Sequence, residues 1–198
     1  MLVAIVKYNA GNIYSVNYGL KRLGIEPVIT ADPEILRRAD RVIFPGQGEA
    51  GTTMRYLREH RLDEIIVGLR QPVLGICIGM QLLCRSSEEG DTRCLGVFDV
   101  PVIKFRSTRH EEKVPHMGWN SLSDLRSDLY SHVTQGEFVY FVHSYYVPLN
   151  CDTIASSEYI VPFSASMRKG NFYATQFHPE KSGKTGERIL RNFIELGT

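Results

Sequence analysis

One stretch limits the fold more than any other: Gln71-Pro72-Val73-Leu74-Gly75-Ile76-Cys77-Ile78-Gly79-Met80-Gln81-Leu82-Leu83. Val73, Leu74 and Ile76 are apolar and partly β-branched, as a short buried parallel strand requires. Met80, Leu82 and Leu83 open a helix-forming run. Between them lies G-x-C-x-G, a nucleophile elbow written with a thiol in place of a hydroxyl. A side chain at the apex of so sharp a turn crowds the positions two residues away on either side, which predicts glycine there. The elbow leaves Cys77 in the first turn of a helix, where unpaired N–H groups and the helix dipole favour an anion. The N–H of Ile78 points the same way and can help hold an oxyanion. Taken alone, the pattern fits a small buried cysteine between packing glycines slightly better.

A second stretch shifts that balance. Gln176-Phe177-His178-Pro179-Glu180-Lys181-Ser182 follows the strand-like Phe172-Tyr173-Ala174-Thr175 and offers a histidine with a carboxylate two residues on. A cysteine, a histidine to take its proton and an acid to orient the imidazole form a nucleophilic triad. Cys77 and His178 are 101 residues apart, so the fold has to bring them together.

The first half alternates strand and helix. The pattern predicts strands at Met1 to Lys7, Glu26 to Thr30 and Arg41 to Phe44. Helices are expected over Val16, Leu20 and Leu23 with Gly24 as the stop, over Pro33 to Arg38, and over about Met54 to Arg61 and Leu62 to Leu69. This alternation implies an α/β fold with a doubly wound, mostly parallel sheet and sites at the carboxyl ends of its strands. Pro45-Gly46-Gln47-Gly48-Glu49-Ala50-Gly51 sits at such an end. It reads as a plain strand-to-helix turn or as a backbone segment offering N–H groups to developing negative charge. A Walker pattern is absent.

From about Val97 short alternating segments take over: Val102 to Phe105, Phe138 to Val142, Tyr145 to Val147, Ile154 to Tyr159, Phe163 to Met167 and Phe172 to Thr175. They predict a β-rich antiparallel extension of the sheet. A final amphipathic helix carries Ile189, Leu190, Phe193 and Ile194. No repeat or linker interrupts the chain, so residues 1–198 read as one domain, a length that suits one core better than two.

Composition narrows the function classes. The net charge of +1 gives no electrostatic footprint for nucleic acid or an anionic membrane. No stretch approaches the roughly 20 apolar residues of a membrane span. The four cysteines (Cys77, Cys84, Cys94, Cys151) show no C-x-x-C spacing and fit a reduced cytoplasm better than a disulfide scaffold or zinc site. No metal or other cofactor is expected. His116 and His143 read as hydrogen-bonded structural residues. Cys84, seven residues after Cys77, is expected to lie buried and inert two turns along the same helix.

Gly75-Ile76-Cys77-Ile78-Gly79-Met80-Gln81 with His178-Pro179-Glu180 resembles the class I (triad) glutamine amidotransferases. Four further stretches resemble, more narrowly, the glutaminase subunits of imidazole glycerol phosphate synthases. They are Tyr8 to Val16, Pro45 to Gly48, Lys113-Val114-Pro115-His116-Met117-Gly118-Trp119-Asn120, and His178 to Gly183. The resemblance runs over essentially the whole chain and implies a flavodoxin-like α/β fold. It implies that Cys77 attacks the side-chain amide of glutamine, that His178 moves the proton and that Glu180 holds His178. It further assigns the oxyanion hole to Ile78, Gln47 and Gly48, and glutamine binding to Gln81, Glu89, Ser144 and Tyr145. Asn12, Trp119 and Lys181 fall at a partner interface. The partner so implied is a (β/α)8-barrel cyclase subunit, in a heterodimer, which receives ammonia and makes imidazole glycerol phosphate and AICAR in histidine biosynthesis. A Pro45–Gly48 peptide turned away at rest would leave the oxyanion hole one donor short, and glycines at 46 and 48 would ease its flip. Lys7, Gln47, Cys84 and Arg85 depart from residues common in such relatives. A stand-alone cysteine hydrolase and a non-catalytic binding subunit are the competing readings.

Overall fold

In the computed structural model, residues 1–9, 12–46, 48–107, 109 and 111–197 are described. The first half builds β1 (Val3–Val6), α1 (Ile13–Arg22), β2 (Val28–Thr30), α2 (Pro33–Arg38), β3 (Arg41–Phe44), α3 (Ala50–Glu59), α4 (Leu62–Val67), β4 (Val73–Ile76) and α5 (Ile78–Leu83). The second half adds β5 (Cys84–Ser87), β6 (Thr92–Arg93), β7 (Phe98–Lys104), β8 (His116–Ser121), β9 (Phe138–His143), β10 (Tyr145–Tyr146), β11 (Thr153–Glu158), β12 (Pro162–Lys169), β13 (Phe172–Thr175) and α6 (Gly183–Glu195).

The main sheet has seven strands in the order β11-β12-β13-β4-β3-β1-β2. β2, β1, β3, β4 and β13 run parallel, and β12 and β11 extend the edge antiparallel. Alternation along the strands divides the core between the two faces. Ala4, Val6, Val42, Phe44 and Val73 pack against Leu57 and Ile66 of the α3–α4 side. Val3, Ile5, Ile43, Leu74 and Ile76 pack against Val16 and Leu20 of α1 and Ile189, Leu190 and Phe193 of α6. Arg41, buried at the start of β3, closes the end of α6 by donating to the carbonyls of Phe193 and Leu196.

The second half differs in detail from its expected form. Only β11 and β12 are an antiparallel extension of the main sheet; β13 joins it parallel to β4. β5, β6, β7 and β10 form a separate four-stranded sheet, and β8 pairs with β9 alone. Cys84 does not continue the helix. α5 stops at Leu83 because Cys84 begins β5, which pairs with β7, while Leu95 and Gly96 donate to the carbonyls of Leu82 and Cys84. Cys84 is nevertheless fully buried and unpaired.

Candidate active site

The carboxyl ends of β1, β3, β4 and β13 meet at one edge of the sheet. At the end of β4, Cys77 has φ 54° and ψ −111°, a conformation that L side chains rarely adopt and that projects the thiol from the elbow. The elbow's glycines are required, for a reason the sequence does not reveal. A Cβ on Gly79 would lie 2.2 Å from the Phe44 carbonyl oxygen of β3. One on Gly75 would meet Leu83 Cδ1 at 2.7 Å. The crowding therefore comes from the neighbouring strand and from α5, not from the cysteine side chain.

β13 delivers the histidine. His178 lines the same cleft as Cys77 and hydrogen-bonds with its thiol. Its Nδ1 donates to Glu180 Oε1 at 2.8 Å, with both side chains buried. Burial pulls the imidazole's pKa down, but the Cys77 sulfur and the Glu180 carboxylate together outweigh it and raise the value to about 10. The turn is braced on several sides. Tyr140 of β9 accepts from the His178 N–H, and Ser182 Oγ donates to the His178 carbonyl. Gly186 lets α6 approach so closely that a Cβ there would sit 1.9 Å from the Pro179 carbonyl oxygen.

Asn12, which the resemblance assigns to a partner interface, turns its side chain inward. Its Nδ2 donates to Glu180 Oε1 at 2.6 Å and lies 3.2 Å from His178 Nδ1. Glu180 Oε1 thus accepts twice, whereas Oε2 is buried without a hydrogen-bond partner among the described residues. Lys181 is exposed on the turn after the acid. Trp119 is 55% exposed on β8, edge-on to Tyr140 at 6.1 Å.

The cleft holds about 250 Å³, room for a molecule of amino-acid size. Gly48, Ile78, Gln81, Glu89, Ser144 and Tyr145 all line it, together with Cys77 and His178. Gln47 lies outside the described residues. Gly46 has a packing role: a Cβ there would fall 1.9 Å from Ile78 Cγ2, so the segment after β3 lies directly against the elbow. Tyr8 pins that segment by donating its hydroxyl to the Pro45 carbonyl. Burial, then the Cys77 sulfur, push the Tyr8 phenol far above its ordinary pKa, so it stays a donor. Tyr8 opens one of the stretches that carry the resemblance, but no local pattern shows this role, because its partner lies 37 residues away.

Gln81 donates both amide hydrogens, to the Tyr145 carbonyl and to Gln176 Oε1, each at 2.9 Å. It therefore offers the cleft only its oxygen, for a group with hydrogen to give. Gln176 reaches the nucleophile, with Nε2 3.8 Å from Cys77 Sγ. Burial raises the Glu89 pKa, reinforced by Glu49 and opposed by the Ala50 N–H that Glu89 accepts at 2.8 Å. The cleft thus combines a thiol, an imidazole–carboxylate pair, an acceptor amide and an acid, a set suited to nucleophilic attack on an amide carried by an amino acid. Among the described residues, no group of three or more His, Cys, Asp or Glu could hold a metal ion.

The family model "Glutamine amidotransferase class-I" matches residues 5–196. Imidazole glycerol phosphate synthase subunit HisH of Bacteroides fragilis (strain YCH46) is 65% identical over 196 residues, 99% of this chain and 100% of that protein. The subunit of the same name from Yersinia pseudotuberculosis serotype I is 44% identical over 198 residues, again 99% and 100% of the two chains. A solved structure described as a glutamine amidotransferase shares the fold, with a TM-score of 0.74, 22% identity and 98% of each chain covered. On these likenesses the chain belongs to the class-I glutamine amidotransferase family, within the group of imidazole glycerol phosphate synthase HisH subunits.

Proposed function

We infer that the chain is the glutaminase subunit of an imidazole glycerol phosphate synthase and works in histidine biosynthesis, with residues 1–198 as one amidotransferase domain. The reading rests most on one observation: the Cys77 thiol and the His178 imidazole share a cleft of amino-acid size, with Glu180 buried against the imidazole.

The mechanism follows from the chemistry of these groups. His178, its pKa raised, carries the proton of the Cys77–His178 pair as the sulfur adds to the side-chain carbonyl carbon of glutamine. The tetrahedral oxyanion is met by the Ile78 N–H and by backbone at Gly48, both of which line the cleft; losing one such donor costs about 2.7–4 kcal/mol. In the breakdown His178 gives its proton to the amide nitrogen as the C–N bond breaks, so neutral ammonia leaves and a glutamyl thioester remains. Water, activated by His178, then hydrolyses the thioester to glutamate and restores the thiol. Glu180 holds the imidazole in the Nδ1–H form throughout. Glu89 suits the substrate's ammonium group, as does the Gln81 oxygen, and the Ser144–Tyr145 backbone lines the same cleft.

Ammonia released into water would be protonated and lost, so we propose a partner, a (β/α)8-barrel cyclase in a heterodimer. The outward side chains of Met117 and Trp119 on β8, with Phe138 on β9, form an exposed apolar face suited to docking it, and Lys181 is also exposed. No helix among the described residues is long and apolar enough to cross a membrane, and we place the reaction in the cytoplasm. The test is glutamate formation from glutamine with and without a partner captured from lysate. Turnover that depends on Cys77 and rises with the captured barrel supports the reading. Equal turnover by the isolated chain, or turnover of peptides with no response to glutamine, refutes it.

A further inference from the structure

A buried polar chain lies behind the cleft. Asn120 Nδ2 of β8 is 3.4 Å from His116 Nε2. His116 Nδ1 is 3.0 Å from His143 Nε2, and His143 Nδ1 is 2.8 Å from the Tyr145 carbonyl oxygen. The direction of these bonds is forced. A carbonyl can only accept, so His143 carries its proton on Nδ1 and presents a bare Nε2. His116 must therefore donate from Nδ1, which leaves its own Nε2 bare to accept from the Asn120 amide. Every polar atom of both rings has a partner, and both rings are buried. His116 is also clamped by stacking on Tyr159 at 4.1 Å and on Phe141 at 5.0 Å. Burial holds both imidazoles neutral, with pKa values lowered to about 4 for His116 and about 3 for His143.

The chain ends where glutamine is expected to lie. The Tyr145 carbonyl accepts from His143 and from Gln81, so both its lone pairs are used. Through Gln81 the network continues to Gln176 and to the Cys77 sulfur. β8 carries its other end: His116 and Asn120 face inward, while Met117 and Trp119 face out. We propose that His116 is a positioning residue, which acts through His143 on the Tyr145 carbonyl to fix the Ser144–Tyr145 wall of the glutamine cleft and couples that wall to β8. His116 does not line the cleft whereas His143 does, so the His116 side chain reaches the cleft through His143.

The proposal rests on the glutaminase reading for its kinetic consequence and on hydrogen-bond geometry and burial for its spectroscopic one, so the two can fail separately. Side-chain nitrogen NMR of the full chain at neutral pH should find His116 and His143 both neutral and protonated at Nδ1. Either ring protonated at Nε2, or charged, overturns the proposal whether or not the protein has activity. In the assembled synthase, His116→Leu leaves His143 without its donor and is expected to raise KM for glutamine roughly tenfold, with the smaller effect on kcat. His116→Asn, whose amide can donate from near the Nδ1 position, should recover most of the loss. Unchanged KM in a folded His116→Leu, or equal defects in the two variants, overturns the proposal. If His116→Leu does not fold, the wild-type spectrum and His116→Asn decide it.

Discussion

Replacing Glu180 with glutamine separates the two things the acid does for His178, its charge and its geometry. In nucleophilic triads an amide at this position is damaging, by about 10⁴ in kcat, when it forces the wrong imidazole tautomer. Here the surroundings make the outcome different. Oε1 accepts from His178 Nδ1 at 2.8 Å and from Asn12 Nδ2 at 2.6 Å, while Oε2 has no partner among the described residues. Two donors aimed at one oxygen select which end of the new amide takes that place: its oxygen goes to the Oε1 position and its NH2 to the empty one. The imidazole then keeps its proton on Nδ1 and loses only the charge opposite it. A hydrogen bond to a charged group contributes about 1.5–3 kcal/mol against about 0.5–1.5 for a neutral one, so the difference is about 1–1.5 kcal/mol. That corresponds to roughly a tenfold loss. The buried NH2 also lacks an acceptor, which costs about 1–3 kcal/mol of stability and lowers Tm by about 2–4 °C for each of them. The assay is glutamate formation in the assembled synthase for E180Q, N12A and N12A/E180Q. Without Asn12 the amide is free to turn, and the double variant should fall toward the 10⁴ loss. A loss of that size in E180Q alone, or a double variant no worse than E180Q, refutes the reasoning.

Other substitutions test other parts of the site. Cys77→Ala should abolish glutamate formation and labelling by an electrophilic glutamine analogue while leaving the chain folded, as followed by mass spectrometry and circular dichroism. Gly79→Ala puts a methyl 2.2 Å from the Phe44 carbonyl oxygen and should cost at least the 1–3 kcal/mol of an overpacked core, measured by urea denaturation. The fold favours protonated His178, whose pKa lies at about 10 rather than 6.5. The resulting stabilisation is complete below about pH 6.5 and is lost as pH rises toward 10. The unfolding free-energy difference between wild type and His178→Gln should narrow across that window, and a constant difference would contradict the assignment. Trp119→Ala should weaken partner binding by about 2 kcal/mol or more in calorimetry while leaving Tm of the free chain nearly unchanged, since the ring is more than half exposed.

The features readable in advance were those with short-range causes. Helix α2 spans the expected residues because Pro33 pre-sets its first turn and Asp32 accepts from the Glu34 N–H. β3 and β13 keep their expected bounds as unbroken buried runs. The elbow is local too, although its glycines answer to Phe44 and Leu83, which no spacing within the motif reveals. Sequence pattern failed where a distant partner outcompeted a local preference. Cys84 sits in a helix-forming run but joins β5, because pairing with β7 outweighs one more helical turn. Asn12 reads as part of a tight loop, and no local pattern shows that a carboxylate 168 positions later captures its amide.

The amino-acid order by itself determined that the chain makes an alternating α/β sheet, that a thiol stands on a sharp strand–helix turn, and that an imidazole with its acid follows a later strand. These are consequences of side-chain period, glycine sterics and turn chemistry acting within a few residues. Only the tertiary structure decided which groups share a cleft, which lone pairs remain free and which way each imidazole carries its proton. Those depend on strand order and on contacts between residues tens to more than a hundred positions apart, fixed by cooperative packing of the whole sheet and not by any local preference.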